Sequence, residues 1–238
     1  MEKNNTVVVF MHGILESPEQ FSDMEAVISE KFHSAMLLLP GHGKTGRDFA
    51  ESSMKKWKEY FSDKIDYYRK NYDGIIIAAH SMGCLLSVSE AVKKPEKIKG
   101  LFLIANPLEI RLKPKGIQNA LRIAFNLSYE DEEFCELIKK VYSVSDCKLS
   151  DYPLWIPRYK ELISESKKTR QLMEKLTVPS YHIYSDKDEF VSPDSVNYLA
   201  KVKNYKLIML ENSGHFYYTE EEREKILNEF RQFCFGLK

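Results

Sequence analysis

Short apolar runs recur along the chain and alternate with segments in which apolar residues repeat every three or four positions. Runs of strand length without polar residues are typical of strands buried on both faces of a parallel sheet. Three-to-four spacing is typical of amphipathic helices. We predict six strands, at Thr6–Met11, Ala35–Leu39, Gly74–Ala79, Gly100–Ala105, Val178–Tyr184 and Tyr205–Leu210. The alternation predicts an α/β fold, with a mostly parallel sheet of about six strands flanked by helices.

This alternation is interrupted over residues 107–176, which contain no strand-like run. Helical spacing predicts three helices in the block, around 117–125, 128–142 and 157–176. We expect the stretch Ser145–Pro157 to be irregular. Extra core helices packed on the sheet would also explain the block, but the break in a strict alternation favours an inserted helical cap. We therefore expect a core domain of residues 1–106 and 177–238, with a cap of residues 107–176.

The third predicted strand ends at a serine that has a small residue two positions away on each side. The chain runs from Gly74–Ala79 through His80-Ser81-Met82-Gly83 into an apolar helix. So sharp a turn between strand and helix requires small residues at 79 and 83, and it lifts the Ser81 hydroxyl clear of the sheet. An ordinary strand–loop–helix with an incidental serine would carry the same five residues, because short motifs recur by chance.

Two later loops decide between these interpretations. The fifth predicted strand is followed by Ser185–Val191, which contains two aspartates, and the sixth is followed by His215. Together with Ser81, these loops resemble the α/β-hydrolase family, in which serine, acid and histidine come in this order after strands. The resemblance covers nearly the whole chain outside the predicted cap. It implies an α/β-hydrolase fold with a catalytic triad of Ser81, an aspartate and His215.

The acid of this triad is Asp186 or Asp188, since spacing alone excludes neither. In the family the aspartate lies three residues after a small residue and three before an apolar residue. Ser185 and Val191 provide that frame for Asp188. The resemblance therefore favours Asp188, and Asp186 would lie too early.

An oxyanion hole also follows from the resemblance, formed by the backbone N–H groups of Ile14, after His12-Gly13, and of Met82. The chain departs from the family at Ala79, where glycine is usual, and it begins too late for two antiparallel strands that the family usually has. We expect His12 and His42 to organise the floor of the site. We expect a structural role for His80.

The resemblance implies a serine hydrolase, most similar to bacterial carboxylesterases and monoacylglycerol-lipase-like members. Such an enzyme cleaves a small carboxylic ester through an acyl-enzyme on Ser81 and needs no cofactor. A peptidase or thioesterase could use the same triad, and a catalytically inactive ligand-binding protein could keep the fold. Tyr152, Leu154 and Trp155 are candidates for an apolar acyl pocket, although packing within the cap explains Trp155 equally well.

Composition bears on other function classes. Lys and Arg together number 35, as do Asp and Glu, so no basic field favours nucleic acid or an anionic membrane. No apolar run reaches transmembrane length, and the apolar stretch near the N-terminus is too short for a signal peptide, so we expect a cytoplasmic protein.

The four cysteines form no Cys-x-x-Cys pair, which predicts reduced thiols. No two histidines have metal-ligand spacing, so we expect no metal. No oligomeric state is predicted.

Overall fold

All six predicted strands are present in the computed structural model, which describes residues 4–114, 141–145 and 147–237. The strands are Asn4–Met11 (β1), Phe32–Leu37 (β2), Gly74–His80 (β3), Ile98–Ile104 (β4), Ser180–Ser185 (β5) and Tyr205–Leu210 (β6). They form a parallel sheet in the order β2-β1-β3-β4-β5-β6. The predicted α/β class is confirmed, and the carboxyl ends of the strands meet along one edge of the sheet.

Helices connect the strands and cover the sheet. They are Ser22–Ala26 (α1), Gly46–Ala50 (α2), Met54–Asn71 (α3), Met82–Lys93 (α4), Tyr152–Leu172 (α5) and Glu220–Gly236 (α6). Shorter 3₁₀ segments occupy Pro18–Phe21, Met173–Lys175 and Pro193–Lys201. None of the helices in the described ranges has the length and apolar character that a membrane crossing requires.

The core lies on both faces of the sheet. Every residue of β3 is buried, as its apolar sequence predicts for a central strand. On one face Phe102 of β4 contacts Phe230 of α6 at 5.0 Å between ring centroids, and Phe10 of β1 contacts the same ring at 5.9 Å. Each fully buried side chain of this size contributes roughly 1.5–3 kcal/mol. This packing holds the strand ends, and the loops that follow them, in fixed positions.

Strand β2 begins and ends earlier than its apolar run predicts, at Phe32 rather than Ala35 and at Leu37 rather than Leu39. Because β2 is an edge strand, only part of each face is covered, and it includes the polar residues His33 and Ser34. A search for continuous apolar runs therefore misses its start.

Helix α5 begins at Tyr152, so the expected irregular stretch Ser145–Pro157 is wrong in its second half. Pro157 lies inside this helix. A proline in a helix interior costs about 3 kcal/mol, but tertiary contacts of α5 outweigh that cost. The indole N–H of Trp155 donates to the carbonyl of Gly46 at 2.8 Å. Arg158 donates to the carbonyls of Ala50 and Ser52.

The polar contacts of α5 continue toward its C-terminal half. Lys58 of α3 lies 2.5 Å from the carboxylate of Glu165, whose side chain is 3% exposed. Ser166 donates to the carbonyl of Pro107 at 2.6 Å. The helix is thereby tied to α2, α3 and the segment after β4. The other two helices predicted for this block, around 117–125 and 128–142, fall mainly outside the described residues, as does the part of the proposed cap between residues 115 and 140.

Candidate active site

The turn between β3 and α4 is as tight as the small residues around it predict. Ser81 has φ 50° and ψ −123°, a backbone conformation that non-glycine residues rarely adopt. A Cβ atom on Gly83 would lie 2.3 Å from the carbonyl oxygen of Met11. Ala79, where the family usually has glycine, is fully buried, so the turn accommodates its methyl group. The strained turn places Ser81 at the carboxyl edge of the sheet.

Ser81, Asp188 and His215 meet at this edge. Ser81 Oγ lies 3.2 Å from His215 Nε2, and Asp188 Oδ2 lies 2.8 Å from His215 Nδ1. The other oxygen of Asp188 accepts the backbone N–H groups of Phe190 and Val191, each at 2.8 Å. The three residues follow β3, β5 and β6, so the sheet alone brings together positions that are far apart in the sequence.

Asp186, the alternative acid, is exposed. Its backbone N–H donates to the carbonyl of Leu210, and its carbonyl accepts from Lys113. Its position therefore differs from that of Asp188, which is 3% exposed and hydrogen-bonded to His215.

Burial and charge act in opposite directions on the pKa values of Asp188 and His215. Burial raises the pKa of Asp188, but the charge and hydrogen bond of His215 and two backbone N–H groups hold it below the ordinary value. Burial lowers the pKa of His215, but the charge and hydrogen bond of Asp188 raise it above 6.5 overall. Each group stabilises the charged form of the other.

Both the backbone N–H and the backbone carbonyl of His215 make hydrogen bonds. Its N–H donates to the Glu189 carboxylate at 2.9 Å. Its carbonyl lies 3.1 Å from His80 Nε2 and accepts from the hydroxyl of Tyr218 at 3.3 Å. Phe190 packs against the imidazole edge to face, 5.2 Å away between centroids. The orientation of the ring is therefore determined by its backbone as well as by Asp188.

The turn Gly13–Glu16 follows β1, whose end touches the first turn of α4 at Gly83, and it contains the residue predicted to complete the oxyanion hole. Gly13 N–H donates to Glu16 Oε2 at 2.5 Å, Leu15 N–H donates to His42 Nε2 at 3.1 Å, and Glu16 N–H donates to the carbonyl of Gly13. Ile14 N–H has no hydrogen-bond acceptor in the described part of the chain. Leu15, at φ 64°, is another non-glycine residue in the left-handed region.

The imidazoles of His12 and His42 act as acceptors for backbone N–H groups near this turn. Leu39 N–H donates to His12 Nε2 at 3.0 Å, and His12 Nδ1 lies 2.7 Å from the carbonyl of Gly13. Burial lowers the pKa of both histidines, so both rings are neutral at neutral pH. Their rings are 4.7 Å apart between centroids. They connect the turn Gly13–Glu16 to the loop that follows β2.

The three candidates for an acyl pocket lie together on the first turn of α5. Leu154 is 45% exposed and Tyr152 is half-buried. Trp155 is 2% exposed and packs edge to face on Phe49, 5.0 Å away between centroids. With its bond to the Gly46 carbonyl, Trp155 anchors α5 to α2.

Glu16 belongs to this site and was not among the residues predicted from the sequence. Glu16 is 1% exposed, and its Oε2 atom lies 2.9 Å from His80 Nδ1. Oxygen and nitrogen atoms of Glu16, His80 and His215 lie within 4.8 Å of one another, close enough to hold a metal ion. Ring nitrogens of both histidines already face protein atoms, however, so the trio is arranged as a hydrogen-bond network. An acidic residue within an otherwise apolar turn was the signal in the sequence.

The six-stranded parallel sheet and the serine at its sharp strand-to-helix turn define the α/β-hydrolase fold. The chain belongs to the family described as serine aminopeptidase, S33, whose family model matches residues 2–222. The family predicted from the sequence is thereby confirmed.

Curated relatives are similar over most of the chain. Lipase 1 of Psychrobacter immobilis is 19% identical over 230 residues, which cover 87% of this chain and 70% of that protein. Pimeloyl-(acyl-carrier protein) methyl ester esterase of Wigglesworthia glossinidia brevipalpis is 23% identical over 232 residues, with 87% of this chain and 86% of that protein covered. Both relatives are named for action on esters or lipids.

Among solved structures, a metagenome-derived lipolytic enzyme superposes with a TM-score of 0.76 at 21% sequence identity. The superposition covers 98% of this chain and 95% of that one. The two proteins therefore correspond in fold over nearly all of their length.

Proposed function

We propose that this protein is a serine hydrolase that cleaves small carboxylic esters through an acyl-enzyme on Ser81. The observation that carries the proposal is the chain of contacts from Ser81 Oγ to His215 Nε2 and from His215 Nδ1 to Asp188. A serine hydroxyl is a weak nucleophile until a base removes its proton, and the base needs an acid that fixes its tautomer. These three side chains have the geometry for those roles.

In the proposed reaction Ser81 Oγ attacks the ester carbonyl while His215 Nε2 takes the hydroxyl proton. The tetrahedral intermediate collapses, the C–O bond to the alcohol breaks, and His215 returns the proton to the leaving oxygen. Water then attacks the acyl-enzyme by the same route and releases the acid and free Ser81. Asp188 keeps the proton on Nδ1, so Nε2 faces Ser81 with a lone pair.

The negative charge that develops on the carbonyl oxygen needs donors that are already in place. We propose the N–H groups of Met82, at the start of α4, and of Ile14. Met82 N–H belongs to the first turn of a helix, where backbone donors lack intrahelical acceptors. The neighbours of Ile14 in its turn donate to Glu16, His42 and Gly13, which leaves the Ile14 N–H available.

Esters are the favoured substrates because the curated relatives described above are named as a lipase and an esterase. The family description, serine aminopeptidase, supports a second candidate, hydrolysis of a peptide bond with the same triad. Thioesters are chemically accessible to the same nucleophile. Rates on matched acyl esters, thioesters and amides measure this preference directly, and a higher kcat/KM on the amide would favour the peptidase.

A fluorophosphonate probe tests whether Ser81 is the nucleophile, because such probes react with activated serines. We expect stoichiometric labelling of Ser81, identified by peptide mass spectrometry, and ester turnover that disappears with labelling. A Ser87→Ala variant is the matched control, because Ser87 is a buried serine of α4 that donates to the carbonyl of Gly83. An unlabelled Ser81 in folded protein would instead favour a ligand-binding protein that keeps the fold.

We also propose that residues 107–176 form a cap over the site and that Tyr152 and Leu154 contribute to an acyl pocket. The exposure of Leu154 supports a ligand contact, whereas Trp155 would hold α5 in place. Comparing chain-length preference in Leu154→Ala and the wild type tests this. A cytoplasmic location is a further proposal, supported by the buried free thiols of Cys84 and Cys234 and tested by cell fractionation.

A further inference from the structure

A continuous path of hydrogen bonds connects the turn Gly13–Glu16 to the loop that carries His215. Glu16 Oε2 accepts the N–H of Gly13 at 2.5 Å and lies 2.9 Å from His80 Nδ1. His80 Nε2 lies 3.1 Å from the carbonyl oxygen of His215. Glu16 and His80 are 1% and 2% exposed. Neither side chain has a role in the mechanism derived above.

The two atoms that face the His80 ring restrict where its hydrogens lie. A backbone carbonyl can only accept, so Nε2 must carry hydrogen. Glu16 Oε2 also accepts from Gly13 N–H and from the side-chain amide of Gln20, at 2.5 and 2.8 Å, so it acts as an acceptor toward Nδ1 as well. A neutral imidazole has only one N–H and cannot donate in both directions.

We propose that Glu16 and His80 form a buried carboxylate–imidazolium pair that positions His215 and couples its loop to the oxyanion turn. The pair is electrically neutral as a whole, so it can be buried at moderate cost when its hydrogen bonds are made. Both residues are positioning residues, and the role rests on the function proposed above. His80, expected to be structural, would hold the base through its backbone while Asp188 holds it through its ring.

The electrostatics of the surroundings support this assignment. Burial raises the pKa of Glu16, but the charge and hydrogen bond of His80 lower it, and the result lies below the ordinary value. The titratable groups that face the pair from neighbouring elements include His12 at the end of β1, Cys84 of α4, and His215 and Tyr218 after β6. The hydrogen bond and charge interaction with His80 thus stabilise the ionised carboxylate of Glu16.

Substitution of each member tests the positioning role. In Glu16→Gln the negative charge that stabilises the imidazolium is removed, so the His80 ring becomes neutral and can donate in only one direction. In His80→Gln a single amide replaces the two ring nitrogens and cannot bridge Glu16 and the His215 carbonyl. We expect kcat to fall roughly 10–100-fold in each variant, because small misplacements of a catalytic group have effects of this size. KM for a minimal acetyl ester should stay near the wild-type value, since neither residue touches substrate.

A double variant, Glu16→Gln with His80→Gln, should be no slower than the slower single variant, because members of one unit are strongly non-additive. The matched control is His182→Gln. His182 is another fully buried histidine, but it lies within β5 and contacts Ser180. Its substitution tests general destabilisation and should leave kcat and KM near wild type. Wild-type kcat in folded His80→Gln would overturn the positioning role.

The protonation state is measured without turnover, by ¹⁵N NMR of the wild-type protein labelled at histidine. We expect both ring nitrogens of His80 to carry hydrogen at neutral pH, with the signals assigned by their loss in His80→Gln. A bare ring nitrogen on His80 would overturn the pair, even if the substituted variants fail to fold. If Ser81 proves unreactive while both nitrogens carry hydrogen, the proposed function has failed and the buried pair itself stands.

Discussion

A Cβ atom on Gly83 would lie 2.3 Å from the carbonyl oxygen of Met11 and 2.8 Å from that of His12. The first turn of α4 and the end of β1 are thus in direct backbone contact, and two sides of the proposed oxyanion hole are adjacent for that reason. We predict that Gly83→Ala pushes them apart, with an overpacking cost of about 1–3 kcal/mol and a large loss of kcat. Urea unfolding and ester hydrolysis measure both effects. Unchanged kcat would mean that this contact does not set the spacing of the two donors.

Ser81 carries both the proposed chemistry and local backbone strain. We predict that Ser81→Ala and Ser81→Gly both abolish ester hydrolysis, because no hydroxyl is left to attack. Glycine adopts φ 50° without strain, and such strain costs of order 1–3 kcal/mol for other residues. Thermal unfolding should therefore show the glycine variant to be at least as stable as the alanine variant. Substantial turnover in either variant would remove Ser81 from its role.

The acid is tested by exchanging one carboxylate at a time for an amide. In Asp188→Asn the His215 ring loses its acceptor at Nδ1 and the wrong tautomer is favoured, so we predict a fall in kcat of about 10⁴. Asp186→Asn is the matched control on the same loop, and its exposed side chain predicts near wild-type turnover. The opposite result, a large loss of turnover in Asp186→Asn and near wild-type turnover in Asp188→Asn, would transfer the role to Asp186.

The pH dependence of the reaction follows from the raised pKa of His215. Only the neutral imidazole can accept the Ser81 proton, so kcat/KM should rise with pH through a midpoint above 6.5. Asp188 stays ionised throughout this range because its pKa is lowered. A pH–rate profile with a nonionising acetyl ester measures the midpoint. A rate that is flat between about pH 5 and pH 8 would indicate a different base.

Acid sensitivity of the fold should be traceable in part to His182, whose pKa burial lowers to about 3. The unfolded chain binds a proton at this ring below pH 6.5 and the folded protein does not, so stability is lost as pH falls. At pH 5 the loss from this one group is about 2 kcal/mol. Urea unfolding at pH 7 and pH 5 should show a smaller loss in His182→Gln than in the wild type. Equal losses would contradict the lowered pKa.

The sheet was predictable because its central strands β3 and β4 are almost entirely buried and consist mainly of apolar residues. Ser81 and His215 were identifiable because each follows a strand in a local pattern, and the frame around Asp188 depended on family resemblance. Edge strand β2 and helix α5 were predicted less well. The start of β2 is partly polar, and α5 depends on contacts of Trp155 and Arg158 that sequence spacing does not show.

Glu16 and His80 were the harder case. Each was visible in the sequence as a polar residue among apolar neighbours, but 64 positions separate them and no short motif contains both. Their pairing exists only because β1 and β3 are neighbours in the sheet. Long-range hydrogen bonds of this kind require the three-dimensional arrangement of the strands.

The order of the strands also determines when the site can exist during synthesis of the chain. His215 lies 134 positions after Ser81 and follows β6, an edge strand that pairs with β5. Strands β1 to β4 can pair on the ribosome while the base and the acid are still unmade. The serine therefore emerges without a proton acceptor, and a nascent or truncated chain that ends before β6 has no means of attacking esters in the growing cell.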